Sequence, residues 1–133
     1  MEFIDLKEQY KHLKNDIDNN IKNVLTNANY ISGEEVKVLE KELADYVGVK
    51  YCETVANGTD ALQIALMCFN VKEGDCVFVP SFTFFSTAEV VSLMGATPIF
   101  IDSNERTFNI DPEKLEKAIL KVKEEKKLNP RGI

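Results

Sequence analysis

The feature that most limits what this chain can fold into is a change of period after Gly48. Before that glycine the apolar residues step by threes and fours; after it short apolar runs alternate with helical stretches. Residues 51–55 read as a strand, Asn57-Gly58-Thr59 as a turn and residues 61–69 as an apolar helix. Residues 72–75 read as a turn, 76–80 as a second strand, 86–94 as a helix closed by Gly95, and 97–102 as a third strand. Asp111 followed by Pro112 is an N-cap with proline at the first helical position, opening a charged helix to about Lys126. Strands and helices alternating at this spacing predict βαβ units over residues 49–133, hence an α/β fold with a mainly parallel sheet and right-handed crossovers. Residues 128–132 read as a turn, with Ile133 where a fourth strand would begin. An open sheet stopping there leaves an unpaired edge, so the chain is expected to be cut short.

Residues 1–48 read as two leading helices. Leu6, Tyr10, Leu13, Ile17, Ile21 and Val24 make one apolar stripe. Asn27, Asn29 and Gly33 mark a break, and Ser32 with Glu35 has the spacing of a capping box for the second helix. Val36, Leu39, Leu43, Tyr46 and Val47 continue that helix, and Gly48 closes it.

Composition narrows the class of partner. The chain has 133 residues, 16 basic and 22 acidic, for a net charge of −6. With no Lys/Arg cluster, this balance disfavours nucleic acid and anionic membranes. The acidic start and the lack of a long apolar run predict a cytoplasmic protein with no membrane span. Cys52, Cys68 and Cys76 have no metal-ligand spacing, and the single His12 is remote in sequence, so no metal site is expected. The cysteines read as reduced core residues.

Two segments could carry chemistry. In Ala56-Asn57-Gly58-Thr59-Asp60-Ala61-Leu62 a strand would feed a helix through glycine, presenting free backbone amides at the positive end of a helix dipole. Such a turn can hold a phosphate, but the same residues also serve as a plain helix cap, and the residues alone leave both readings open. The segment matches neither a Walker loop nor G-x-G-x-x-G. In Pro80-Ser81-Phe82-Thr83-Phe84-Phe85-Ser86-Thr87, aromatics and hydroxyls follow a strand, at the carboxyl edge where parallel sheets bind ligands. One of these rings could stack on a flat ligand while the other two pack in the core.

Taken together with Phe3-Ile4-Asp5-Leu6, Ile31-Ser32-Gly33-Glu34-Glu35-Val36, Gly74-Asp75, Gly95-Ala96-Thr97-Pro98 and Asn109-Ile110-Asp111-Pro112, these blocks fall in a recognisable order. The chain resembles the amino-terminal third of the DegT-type nucleotide-sugar aminotransferases, fold-type I enzymes that use pyridoxal 5′-phosphate (PLP). The resemblance covers essentially the whole chain and implies part of the large domain of such an enzyme. It implies that the amides of Gly58, Thr59 and Asp60, with the Thr59 hydroxyl, hold the cofactor phosphate, and that Phe84 lies on one face of the pyridine ring. It also implies that Ser86 and Thr87 lie near the substrate mouth, and Ser32 and Gly33 near the sugar nucleotide.

The implied parent is a homodimer that moves an amino group from an amino acid, glutamate the expected donor, to a keto-sugar nucleotide. No lysine here stands in the family's Schiff-base context, so no catalytic residue is assigned and the chain alone is expected to be inactive. A PLP-dependent sugar dehydratase of the same family is the sibling alternative. A non-catalytic small α/β binding module is the alternative from another class.

Overall fold

A computed structural model describes residues 3–133, and the chain divides into two compact units, Met1–Thr54 and Val55–Ile133. The first holds two helices, α1 (Leu6–Asn27) and α2 (Glu34–Val47). Asp5 caps α1 by accepting the Glu8 amide at 2.9 Å, and Ala28 ends it in the left-handed conformation. The apolar stripe of α1 is continuous, yet the helix buries no residue: Leu6, Tyr10, Leu13 and Ile21 are exposed.

The capping box expected at the start of α2 does not form. Gly33 is the N-cap and no side chain bonds the first turn; Ser32 adopts φ +50° instead. Packing explains the glycine. A Cβ on Gly33 would lie 2.8 Å from the Asn29 carbonyl oxygen, too close for any side chain. At the other end Gly48 closes α2 at φ +78°, as its place in the sequence predicts.

The second unit contains α3 (Gly58–Cys68), β1 (Asp75–Pro80), α4 (Ser86–Leu93), β2 (Thr97–Ile101), α5 (Pro112–Glu125) and β3 (Asn129–Gly132). The three strands form one parallel sheet in the order β2-β1-β3. Central β1 is buried on both faces, the mark of a parallel strand covered by helices on each side. Val77 and Val79 face a cluster with Val71, Val91 and Ala96; Cys76 and Phe78 face the opposite way, into a cluster with Ile101 and the apolar side of α5. Asp75 is buried because its carboxylate closes the preceding turn, accepting the Lys72 amide at 3.1 Å.

Several expectations need correction. Residues 51–55 are not a strand and are not part of the sheet. A strand must hand its amides to a neighbour; here the Thr54 amide and hydroxyl both donate to the Glu40 carboxylate, each at 2.8 Å. These bonds hold the Glu40 carboxyl below its usual range. Helix α3 begins at Gly58, not Ala61, so the expected turn is its first helical turn.

Residues 128–132 are not simply a turn: Asn129–Gly132 is already the edge strand β3, with a register shift between Cys76 and Val77 of β1. An edge strand tolerates the amide that Pro130 lacks. Of the cysteines only Cys76 is core; Cys52 is half-buried and Cys68 exposed. Burial, and next the Asp75 charge, push the Cys76 thiol up.

Candidate functional site

Helix α3 owes its start to Asn57, in extended conformation, whose Oδ1 accepts the Asp60 amide at 2.9 Å. The Ala61 amide donates to the Asn57 carbonyl at 3.1 Å, the first bond of the helix ladder. The amides of Gly58 and Thr59 precede that ladder, and among the described residues neither they nor the Thr59 hydroxyl has a hydrogen-bond partner. Gly58 is exposed, and a Cβ built on it would meet nothing within 4 Å. Space therefore stands open over two unpaired donors at the positive end of a helix. A phosphate fits these groups. The Asp60 carboxylate, which would repel an anion, is bonded back to the Asn57 side-chain amide at 3.1 Å.

The second segment leaves β1 at Pro80 and enters α4 at Ser86. Its root is fixed by the Ser81 amide, which donates to the Ile101 carbonyl at 2.8 Å. Phe82, Phe84 and Phe85 are all exposed, at 70%, 77% and 74%. The expectation that two of them pack in the core is therefore wrong: all three stand on the loop between β1 and α4, outside both core clusters. Thr83 and Thr87 share a hydrogen bond between hydroxyls at 3.0 Å, spanning Phe84. Ser86 is buried at the first position of α4, whereas Thr87 lines a cavity of about 400 Å³ together with Pro80 and Leu62.

The Val55–Ile133 unit thus contains Gly58, Thr59, Asp60, Phe84, Ser86 and Thr87, and its cavity runs from α3 at Leu62 to Thr87 on α4. Ser32 and Gly33 belong to the Met1–Thr54 unit. One residue that sequence reasoning passed over is Phe108, whose ring meets Phe82 at 5.7 Å between centroids. Its only signal in the sequence is an aromatic among turn formers, Arg106-Thr107-Phe108-Asn109. Among the described residues no group of three or more His, Cys, Asp or Glu is placed to hold a metal ion, and no helix is long and apolar enough to cross a membrane.

The lysines all lie at the exposed surface. Lys14 is pushed up by its bonds to Asp18 and Tyr10, and Lys114 by its bond to Asp102. A raised value keeps an ammonium protonated, the opposite of what a nucleophilic amine needs.

Comparison with known proteins decides the family. Residues 11–125 match the DegT/DnrJ/EryC1/StrS aminotransferase family. The chain belongs to this family. The UDP-2-acetamido-2-deoxy-3-oxo-D-glucuronate aminotransferase of Pseudomonas aeruginosa is 53% identical over 119 residues, 90% of this chain and 33% of that protein. A DegT/DnrJ/EryC1/StrS aminotransferase from Brucella abortus superposes with a TM-score of 0.97 at 45% identity, over 100% of this chain and 36% of that one. NtdA of Bacillus subtilis, solved with bound cofactor PMP, gives a TM-score of 0.75 at 32% identity, over 89% of this chain and 25% of that one. The chain thus spans about a third of the length of the curated relatives it matches. Its architecture is that of the amino-terminal part of a fold-type I aminotransferase domain in this DegT-type family.

Proposed function

We propose that this chain supplies the phosphate turn and the ring-stacking aromatic of a PLP-dependent nucleotide-sugar aminotransferase. The observation that carries the reading is the open start of α3, where the Gly58 and Thr59 amides and the Thr59 hydroxyl have no partner among the described residues of a DegT-type chain. When bound, the cofactor supplies an electron sink for moving an amino group from an amino acid, glutamate the expected donor, to a keto-sugar nucleotide. The residues of this chain bind and orient. Gly58 and Thr59 would hold the phosphate with two amides and a hydroxyl; the Asp60 amide, expected to join them, is already given to Asn57 Oδ1. Phe84 offers a solvent-facing ring on which a flat heterocycle can stack.

Thr87, which lines the cavity, and the buried Ser86 would serve the substrate mouth, and Ser32 with Gly33 the sugar nucleotide. No residue here acts as the Schiff-base lysine, and the chain by itself does not turn over. The working unit is a homodimer, a reading supported by exposed apolar residues, among them Ile21, Leu25, Val38 and Leu39 around a groove in the first unit, and its proposed location is the cytoplasm.

The test is a titration of the purified 133-residue chain with PLP and with pyridoxal, followed by borohydride reduction. PLP is expected to bind weakly and pyridoxal, which lacks the phosphate, more weakly still, with no single lysine labelled stoichiometrically. Equal affinity for the two compounds would remove the phosphate turn from the reading. Turnover of glutamate and a keto-sugar nucleotide by this chain would remove the claim that it is inactive.

A further inference from the structure

Phe82 lies two residues before Phe84, and its ring is tilted 46° to that of Phe108 at 5.7 Å. Both rings are largely exposed, Phe82 at 70% and Phe108 at 61%, so core formation does not account for the pair. Phe108 also holds φ +59°, the left-handed region, which is unfavourable for a bulky side chain. Such a conformation persists only where the surroundings impose it. Here they do. The Phe108 amide donates to the Asn104 carbonyl at 2.9 Å, and the Asn104 amide to the Asn109 carbonyl at 2.9 Å. Asn104 Oδ1 accepts the amides of Arg106 and Thr107 at 3.0 and 3.3 Å, and Ser103 pairs with Ile110 in an antiparallel bridge. The loop after β2 is held rigid in the conformation that carries the Phe108 ring against Phe82.

On the other loop, Ser81 is tied to Ile101, and the Thr83–Thr87 bond spans Phe84 on its carboxyl side. The Phe84 carbonyl accepts the Thr87 amide at 3.1 Å and the Phe85 carbonyl the Ala88 and Glu89 amides at 3.2 Å, which ties the far end of the loop to α4; Phe82 is the loop residue whose ring meets the loop after β2. We propose that Phe108 is a positioning residue: by packing on Phe82 it fixes the loop between β1 and α4, and with it the direction of the Phe84 ring. This rests on the reading of Phe84 as the cofactor-stacking residue. A stacking ring held in place loses less conformational freedom when a flat ligand binds, so removing its support weakens binding without removing a contact to the ligand.

The experiment compares Phe84→Ala, Phe108→Asn, Phe108→Tyr and Phe82→Ala with the unaltered protein at its full encoded length. Asparagine tolerates the left-handed conformation, so Phe108→Asn removes the ring while sparing the backbone. Three quantities are read: the PLP dissociation constant by absorbance titration, the visible circular dichroism of bound PLP, and the thermal midpoint of the apoprotein. Phe108→Asn and Phe82→Ala are each expected to raise the dissociation constant roughly threefold to tenfold. Both should reduce the visible dichroism, with the Phe108→Asn apo midpoint unchanged or raised, while Phe108→Tyr behaves as the unaltered protein.

If Phe84→Ala weakens PLP but Phe108→Asn leaves affinity and dichroism intact, the positioning role is overturned while the stacking reading stands. A lower apo midpoint for Phe108→Asn with PLP affinity unchanged overturns it too, because the ring would then serve stability alone. If Phe84→Ala itself leaves PLP unaffected, the stacking reading fails and takes the proposal with it.

Discussion

Helices α3 and α5 both begin after a residue with a short polar side chain in extended conformation, yet their first turns are finished in opposite ways. At α5, Asp111 Oδ1 accepts the amides of both Glu113 and Lys114, at 2.9 and 3.1 Å, and Pro112 at the first position has no amide to satisfy. A carboxylate also neutralises the positive end of the dipole. At α3 the neutral Asn57 side chain accepts only the Asp60 amide, and the next two donors belong to Gly58 and Thr59, which lack a partner among the described residues. One helix end is closed for stability; the other is left open with room over a glycine. A satisfied cap and the proposed anion site are built from the same groups, and the number of amides left over distinguishes them.

Substitutions at the two helix starts separate these roles. Thr59→Ala is expected to have the largest effect, on cofactor and not on fold. On the proposed reading it removes a donor to a phosphate dianion, a charge-assisted bond of about 1.5–3 kcal/mol, or roughly tenfold to a hundredfold in PLP dissociation constant, with the apo midpoint nearly unchanged. Titration and thermal melting of the same protein check both halves; a drop in midpoint with affinity intact would make Thr59 an ordinary first-turn residue.

Asp111→Ala should do the reverse. Loss of a cap that holds two amides costs about 1–2 kcal/mol of folding stability, read by urea unfolding, with PLP affinity untouched. Gly58→Ala sharpens the contrast, because the structure leaves open space for the new methyl. It should stabilise the apoprotein by up to about 1 kcal/mol while weakening PLP, since the Cβ would stand where the phosphate approaches. An apo gain with undiminished affinity would place the ligand elsewhere.

The smallest effect concerns the ion pair beside α5. Lys114 Nζ donates to Asp102 Oδ2 at 2.6 Å, which holds the Asp102 carboxyl below its ordinary 3.8 and the Lys114 ammonium above its ordinary 10.5. A lowered carboxyl stabilises the fold above its unfolded value, and that contribution is lost as pH falls through the lower folded value. A raised ammonium contributes below 10.5 and loses its contribution as pH rises through the higher folded value. Asp102→Asn should therefore flatten both the acid arm below pH 3.8 and the alkaline arm above pH 10.5 of the stability profile. Because both groups are exposed, the change should be slight and should shrink in high salt. Melting curves across pH at two salt concentrations check it.

What the sequence determined by itself was whatever depends on neighbours along the chain. The period of three and four defines α1 and α2, Asp111-Pro112 starts α5, the run from Cys76 to Pro80 lies within β1, and Asn57-Gly58-Thr59 marks the place where α3 opens. Caps, glycine stops and short apolar runs act over one turn or one strand, so they are legible without coordinates. The tertiary structure decided what depends on a partner distant in sequence. The segment 51–55 is apolar enough for a strand, but its Thr54 donors go to Glu40, fourteen residues back. Ser32 and Glu35 have capping-box spacing, but the box does not form: a local contact that the motif does not show, Asn29 carbonyl against Gly33, leaves only glycine at the N-cap of α2.

Residues 129–132 carry a proline and a glycine in a turn-like string, yet pair with β1 because an edge strand needs bonds on one side only. The three phenylalanines after β1 look like core in sequence and stand exposed on the loop between β1 and α4, outside both core clusters. Phe108 had no periodic or motif signal at all; its meeting with Phe82 depends on a left-handed backbone and the loop bonds that enforce it. Local backbone chemistry travels with the sequence, whereas burial and pairing are settled only when distant segments compete for the same partners.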